Sequence, residues 1–169
     1  MREEEKITVQ IKYKGVEEVF SGDISEVWVG VNKFFSEFVP TFKVAKRLVL
    51  NVDLQELLGD CEGVIAFTED GGHLLVSRDR LTDNETLVLH LLAAYVGYRL
   101  GFVESDAVSR EALQRKLGKS GKITSTRLGE LVKSDIVAKT DDGRYRLTTF
   151  GVAQVQREFL PRIKAKIGG

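Results

Sequence analysis

Among 169 residues there is one cysteine, one methionine, one tryptophan, two prolines and two histidines. A single thiol, Cys61, excludes an intrachain disulfide framework and thiolate-cluster zinc sites. The longest apolar run, Leu87 to Tyr98, is broken by His90, and it falls short of the ~20 residues that a membrane span needs. The opening Met1-Arg2-Glu3-Glu4-Glu5-Lys6 is charged and leads straight into a strand pattern, which predicts no secretory leader. There is no internal repeat and no low-complexity linker. These absences predict a cytoplasmic chain without a membrane partner. Few asparagines and glutamines beside 30% charged residues point to a thermophilic source.

With 43% hydrophobic residues, the chain can build one compact domain or two small ones. The formal charge sums to zero, but residues 1–80 hold 10 Lys/Arg against 15 Asp/Glu and residues 81–169 hold 15 against 10. That asymmetry of −5 and +5 predicts two modules, 1–80 and 81–169, the second more suited to a polyanion. Alternation in Lys6–Tyr13, a Lys14-Gly15 turn and Val16–Phe20 predict a β-hairpin. Asp23 with Glu26 opens a helix that should run to about Val39 before Pro40. Further helices are expected from Thr41 to about Leu50 and after Asp53. A second hairpin is expected over Gly63–Ser77, around Glu69-Asp70-Gly71-Gly72.

Thr82 with Glu85 starts an apolar helix ending at Leu100-Gly101. Short helices follow at Ser109–Leu117 and Thr124–Ser134, then a hairpin around Asp142-Gly143 and a last helix, Phe150–Lys166, interrupted at Pro161. The fold class is therefore α+β: a small N-terminal domain of two β-hairpins with helices, then a module whose element order resembles a winged helix-turn-helix. The helix over 83–100 is apolar over about 200° and must be buried on two sides, between modules or against another copy. Ala93, Gly97 and Gly101 recur every four residues and would admit a second helix closely. A homo-oligomer, dimer or tetramer, is expected.

Catalytic patterns are weak. His73 and His90 stand alone, and Asp53, Glu56 and Asp60 read as a helix cap and an acidic face rather than a magnesium site. Gly118-Lys119-Ser120-Gly121-Lys122 lacks the spacing of a phosphate loop and is followed by isoleucine. The expectation is no enzyme, no metal and no cofactor. Most aromatics of the first helix fall within an arc of about 140° and should be core. Trp28 lies at the edge of that arc and can expose a ring face for base stacking. On the following helix, Lys43, Lys46 and Arg47 share one face and form a candidate phosphate track, which Arg78 and Arg80 could extend. Lys33, Phe35 and Phe42 complete this candidate surface. In the C-terminal module, Lys119 and Lys122 flank the start of the second short helix, Ser125 and Thr126 point outward on it, and Arg144 and Arg146 sit on the wing. Glu130 and Asp141-Asp142 count against a phosphate backbone at that surface.

The block from the first hairpin through Glu26-Val27-Trp28-Val29-Gly30-Val31-Asn32-Lys33-Phe34-Phe35 to Pro40 resembles the N-terminal domain of the archaeal ThermoDBP-related proteins. The resemblance covers at most residues 6–80 and rests on element order and the tryptophan–aromatic helix. It implies a sequence-independent, non-catalytic single-stranded DNA-binding protein, with oligomers enclosing or tracking a strand of DNA or RNA. Some members end in a leucine zipper, whereas Phe150–Lys166 lacks sustained heptads, so oligomerisation does not carry over from a zipper. The alternative reading is a winged-helix transcription regulator binding duplex DNA as a dimer. A third is a scaffold without a nucleic-acid role.

Overall fold

The computed structural model describes residues 6–38 and 50–168. The architecture is α+β, and the chain divides into two compact units, Met1–Val49 and Leu50–Gly169. The division thus falls about thirty residues before the expected boundary at residue 80. Its physical cause is the apolar helix described below, which needs residues 54–76 to cover it.

In the first unit, β1 (Ile7–Tyr13) and β2 (Val16–Gly22) pair antiparallel in the register Val9↔Phe20 and Tyr13↔Val16. Lys14 and Gly15, both at positive φ (46° and 82°), make the two-residue turn whose twist suits a hairpin. Helix α1 (Ile24–Phe38) starts from a reciprocal cap. The Glu26 N–H donates to Asp23 Oδ1 at 2.8 Å, and the Asp23 N–H donates to Glu26 Oε2 at 3.2 Å. Val27 and Phe34 are buried, and Phe34 gathers Phe20, Phe35 and Phe38 with ring centroids 6.4, 5.8 and 4.8 Å away. Ile24, in the first turn, is exposed. The helix expected over Thr41–Leu50 lies outside the described residues apart from its last position.

The second unit is organised around α3 (Asp83–Arg99). Leu87, Val88, Leu89, Leu91, Leu92 and Val96 are all fully buried. On one side lie α2 (Leu54–Cys61) and the antiparallel pair β3 (Ile65–Thr68) and β4 (Gly71–Leu74). On others lie α4 (Arg110–Leu117), α5 (Gly121–Lys133) and the pair β5 (Val137–Lys139) and β6 (Tyr145–Leu147). Their apolar side chains form one core cluster with α3. The small-residue face of α3 is therefore occupied by the chain itself. A methyl on Gly72 of β4 would come within 2.9 Å of Ala93 Cβ, and one on Gly97 within 3.2 Å of the Phe67 ring and 3.3 Å of Val103. Close approach of the hairpin also explains why Gly71-Gly72 belong to β4 rather than to the turn, which is only Glu69-Asp70. Gly97, which costs about 1 kcal/mol against alanine in mid-helix, thus has an intrachain packing reason.

The N-terminus of α3 carries a buried carboxylate. Thr82 and Glu85 complete a capping box, and Glu85 also accepts from Lys166 Nζ at 2.8 and 2.9 Å and pairs with Arg162 Nε at 3.2 Å. Both cations come from the C-terminal helical run: α6 (Thr149–Gln154), a π-helical turn Val155–Phe159 and α7 (Leu160–Ile167). The expected interruption at Pro161 takes the form of that π turn, which sits where proline's missing N–H and ring clash would break the α ladder. Gln156 Nε2 donates to Asp60 Oδ2 at 2.7 Å, and Arg80 to the Lys166 carbonyl at 2.9 Å, so α2 and the turn before α3 are tied to the same run.

At the start of α6, the Thr148 hydroxyl caps Gly151 N–H at 2.8 Å, and Gly151 lies directly on the chain leading into β5. A methyl on Gly151 would fall 1.9 Å from the Ile136 carbonyl oxygen, a backbone atom that no rotamer change can move aside. Gly151→Ala should destabilise the second unit by about 2–4 kcal/mol, within the range of severe overpacking. Chemical denaturation followed by circular dichroism checks this, with Gly129→Ala, whose methyl would meet open space, as the harmless control.

Candidate nucleic-acid interface

Ser109 caps α4 through the Ala112 N–H at 3.2 Å, and Gly118 ends the helix in the left-handed region (φ 62°). Two residues later Ser120 accepts from the Ile123 N–H at 3.3 Å and starts α5. Helix α5 thus begins at Gly121, three residues before the expected Thr124, which places Lys122 in its first turn. Lys119 and Lys122 are both exposed and form no ion pair among the described residues. The first N–H groups of a helix and the positive end of its dipole favour an anion, and here two free ammonium groups stand beside them.

The outward side of α5 carries Ser125, whose Oγ accepts from Arg110 at 3.3 Å, and Thr126, whose hydroxyl donates to the Lys122 carbonyl at 2.9 Å. Glu130 does not stand unopposed on this side. Arg127 donates to both its oxygens at 3.0 and 3.1 Å and also faces Asp83 at 3.7 Å, while Asn84 donates to it at 3.3 Å. The Arg127 and Asn84 hydrogen bonds hold the Glu130 carboxyl below its ordinary range. In the turn between β5 and β6, Asp142 accepts from Thr140 and from Arg144 Nε at 2.8 Å, which likewise lowers its carboxyl. Arg144 is therefore engaged with Asp142, whereas Arg146 is exposed and has no partner among the described residues. Asp141 is also exposed there.

One isolated bridge connects these parts. The Val108 N–H donates to the Tyr145 carbonyl at 2.8 Å, and the Tyr145 N–H donates back at 2.9 Å. The chain just before α4 is thus fixed to β6, which ties α4 to the β5–β6 pair.

The N-terminal candidates are less gathered. Trp28 is 68% exposed on α1, with Ile24 and Val29 exposed near it, and its carbonyl accepts from Asn32 at 2.8 Å. Lys33 is exposed but lies five residues on, about 140° around the helix from Trp28. Phe35 is half-buried, with an edge-to-face contact to Phe34. Phe42, Lys43, Lys46 and Arg47 lie outside the described residues. Arg78 and Arg80 belong to the second unit, in a short 3-10 turn (Arg78–Arg80), where Arg80 binds the Lys166 carbonyl noted above and Arg78 lies over Gly118.

The other reactive side chains are structurally engaged. Burial, then Asp60, pushes the Cys61 thiol up to about 11, the reverse of an activated thiolate. Asp53 caps α2 through the Glu56 N–H at 3.0 Å, apart from Asp60, and among the described residues no three His, Cys, Asp or Glu side chains gather into a metal site. His73 shares a hydrogen bond of 2.9 Å with Thr68. Among the described residues no helix is long and apolar enough to cross a membrane. The neutralisation of Glu130 escaped the sequence reading, although Arg127 at i−3 is the spacing that brings helical side chains together. Comparison with protein-family models, with curated proteins and with solved structures finds no match.

Two groups of this unit set its response to acid. Burial, then the cations Lys116 and Arg78, bring His90 down to about 4. Burial of Glu85 acts to raise its carboxyl but is outweighed by hydrogen bonds from Lys166 and Thr82, so the group lies below its ordinary range. The unfolded chain binds a proton at residue 90 below about 6.5 and at residue 85 below about 4.3, before the folded chain does in each case. Stability should therefore fall from about pH 6.5 down to pH 4 through His90, and further below about 4.3 through Glu85. Melting temperatures across pH 3–8 check the sign; His90→Gln should flatten the upper part and leave the lower part in place.

Proposed function

We propose that the chain is a non-catalytic nucleic-acid-binding protein whose second unit engages duplex DNA in the manner of a winged helix. The observation that carries this reading is the pair of unpaired ammonium groups, Lys119 and Lys122, at the N-terminus of α5, on a surface whose acids Glu130 and Asp142 are already neutralised. The order α3, α4, α5, β5, β6, with Val108 bridged to β6, supports it. In this reading Lys119, Lys122 and the first turn of α5 hold the phosphate backbone, and Ser125 and Thr126 face the groove. Arg146 contacts the backbone from the wing, and Arg144 holds the wing tip through Asp142. Duplex readers of this type commonly act as dimers, so the stoichiometry of the complex reports whether the chain self-associates.

A second reading is favoured by the exposed Trp28. It is the one implied by the resemblance to ThermoDBP-related proteins, sequence-independent binding of single strands by the first unit, with Trp28 stacking on bases. Stacking of that kind is worth roughly 1–3 kcal/mol per base.

Replacing Lys119 and Lys122 together by alanine separates the two. If the second unit binds duplex through its backbone, affinity should fall for every sequence and the log–log salt slope should shrink by about two. Unchanged duplex affinity in the double variant would contradict the assignment. Anisotropy titrations at several salt concentrations make the measurement.

A further inference from the structure

A pocket of about 230 Å³ opens in the second unit between the tip of the β3–β4 hairpin, α3 and the chain leading into α4. Its lining includes Asp70, His90, Ala94, Val103, Val108 and Lys116. Three features set it apart from a packing gap. The imidazole of His90, half-buried at the pocket, has no hydrogen-bond partner among the described residues. Lys116 and nearby Arg78 form no ion pair among the described residues. Both cations disfavour the charged form of His90, and Asp70 is the one carboxylate in the lining. Lys116 thus gives the pocket a cationic end beside the imidazole. The rest of the wall is made mainly by alanines of α3 and by Val103 and Val108, with Ser105 as its one further polar side chain.

We propose that this pocket binds a small organic acid, its carboxylate held by Lys116 and the His90 N–H and its short apolar body set against Ala94, Val103 and Val108. A positive end favours the anion, and an imidazole without a partner supplies the directed hydrogen bond. The volume lies below the roughly 300 Å³ at which drug-sized ligand sites begin, which limits the occupant to a few carbons. The apolar wall argues for a carbon body rather than a bare inorganic anion. This site stands apart from the nucleic-acid reading, because its groups are tested without any nucleic acid present.

The test uses the full chain at neutral pH and constant ionic strength, with acetate and butyrate as probes and the histidine ring signals followed by NMR. His73, already bonded to Thr68, is the internal control. The His90 ring signals should shift saturably with butyrate in the millimolar range, while those of His73 stay in place. Two further methylenes against the apolar wall should make butyrate bind about tenfold tighter than acetate. Lys116→Gln should weaken butyrate about tenfold, whereas Lys133→Gln, an equal change of charge at an exposed site on α5, should not. Absence of a saturable His90 shift, equal affinity for acetate and butyrate, or equal loss in the two variants would overturn the proposal. So would a His90 shift produced by a short duplex but not by butyrate, which would assign the positive end to a phosphate backbone.

Discussion

The second unit depends on a single constraint: α3 is apolar around almost its whole circumference and must be covered on every side. Leu87, Val88, Leu89, Leu91, Leu92 and Val96 are fully buried, and no single neighbouring element could bury them all. At about 25 cal/mol per Å² of apolar surface, leaving one side open would forfeit several buried side chains. The chain therefore wraps α3 with the β3–β4 hairpin, α4, α5 and the β5–β6 pair. The buried Glu85 carboxylate at its start is tolerated because it has Lys166, Arg162 and the Thr82 cap as partners. The same ion pairs bring the C-terminal helical run back to the beginning of α3.

That wrapping positions the proposed interface. Helices α4 and α5 rest on α3 through Leu113, Leu117, Leu128 and Leu131, which leaves their polar sides turned outward. Electrostatics then differentiates the outward side. Glu130 is paired with Arg127 and Asp142 with Arg144 at short range, Asp141 stands exposed beside them, and Lys119, Lys122 and Arg146 stay unpaired. Exposed pairs of this kind contribute little to stability. Their consequence here is that these two arginines are taken up by the acids, and the cations left for a polyanion are Lys119, Lys122 and Arg146.

Local features were legible in the sequence because short-range chemistry decides them. The caps Asp23–Glu26, Asp53–Glu56 and Thr82–Glu85 and the turns at Lys14-Gly15 and Asp142-Gly143 stand where their residue types place them. The division of the chain was not legible. Periodicity shows that α3 needs cover on two sides but not which segment supplies it, and the change in net charge near residue 80 does not coincide with the change in packing. Gly72 against Ala93, and Phe67 with Val103 against Gly97, take up the face that suggested a second helix. Lys119 and Lys122 could be picked out from their place in a short turn. The pocket around His90 could not, because its walls come from three segments that only the fold brings together.

The central claim is that the chain meets nucleic acid through its second unit, and its single tryptophan, in the first unit, makes that claim directly measurable. Labelled duplex and single-stranded DNA of matched length would be titrated while anisotropy and Trp28 emission are followed together. The account predicts tighter binding to duplex with Trp28 emission unaltered. Preference for the single strand with quenching of Trp28 would contradict it and move the function to α1, and binding to neither would leave the chain without a nucleic-acid role.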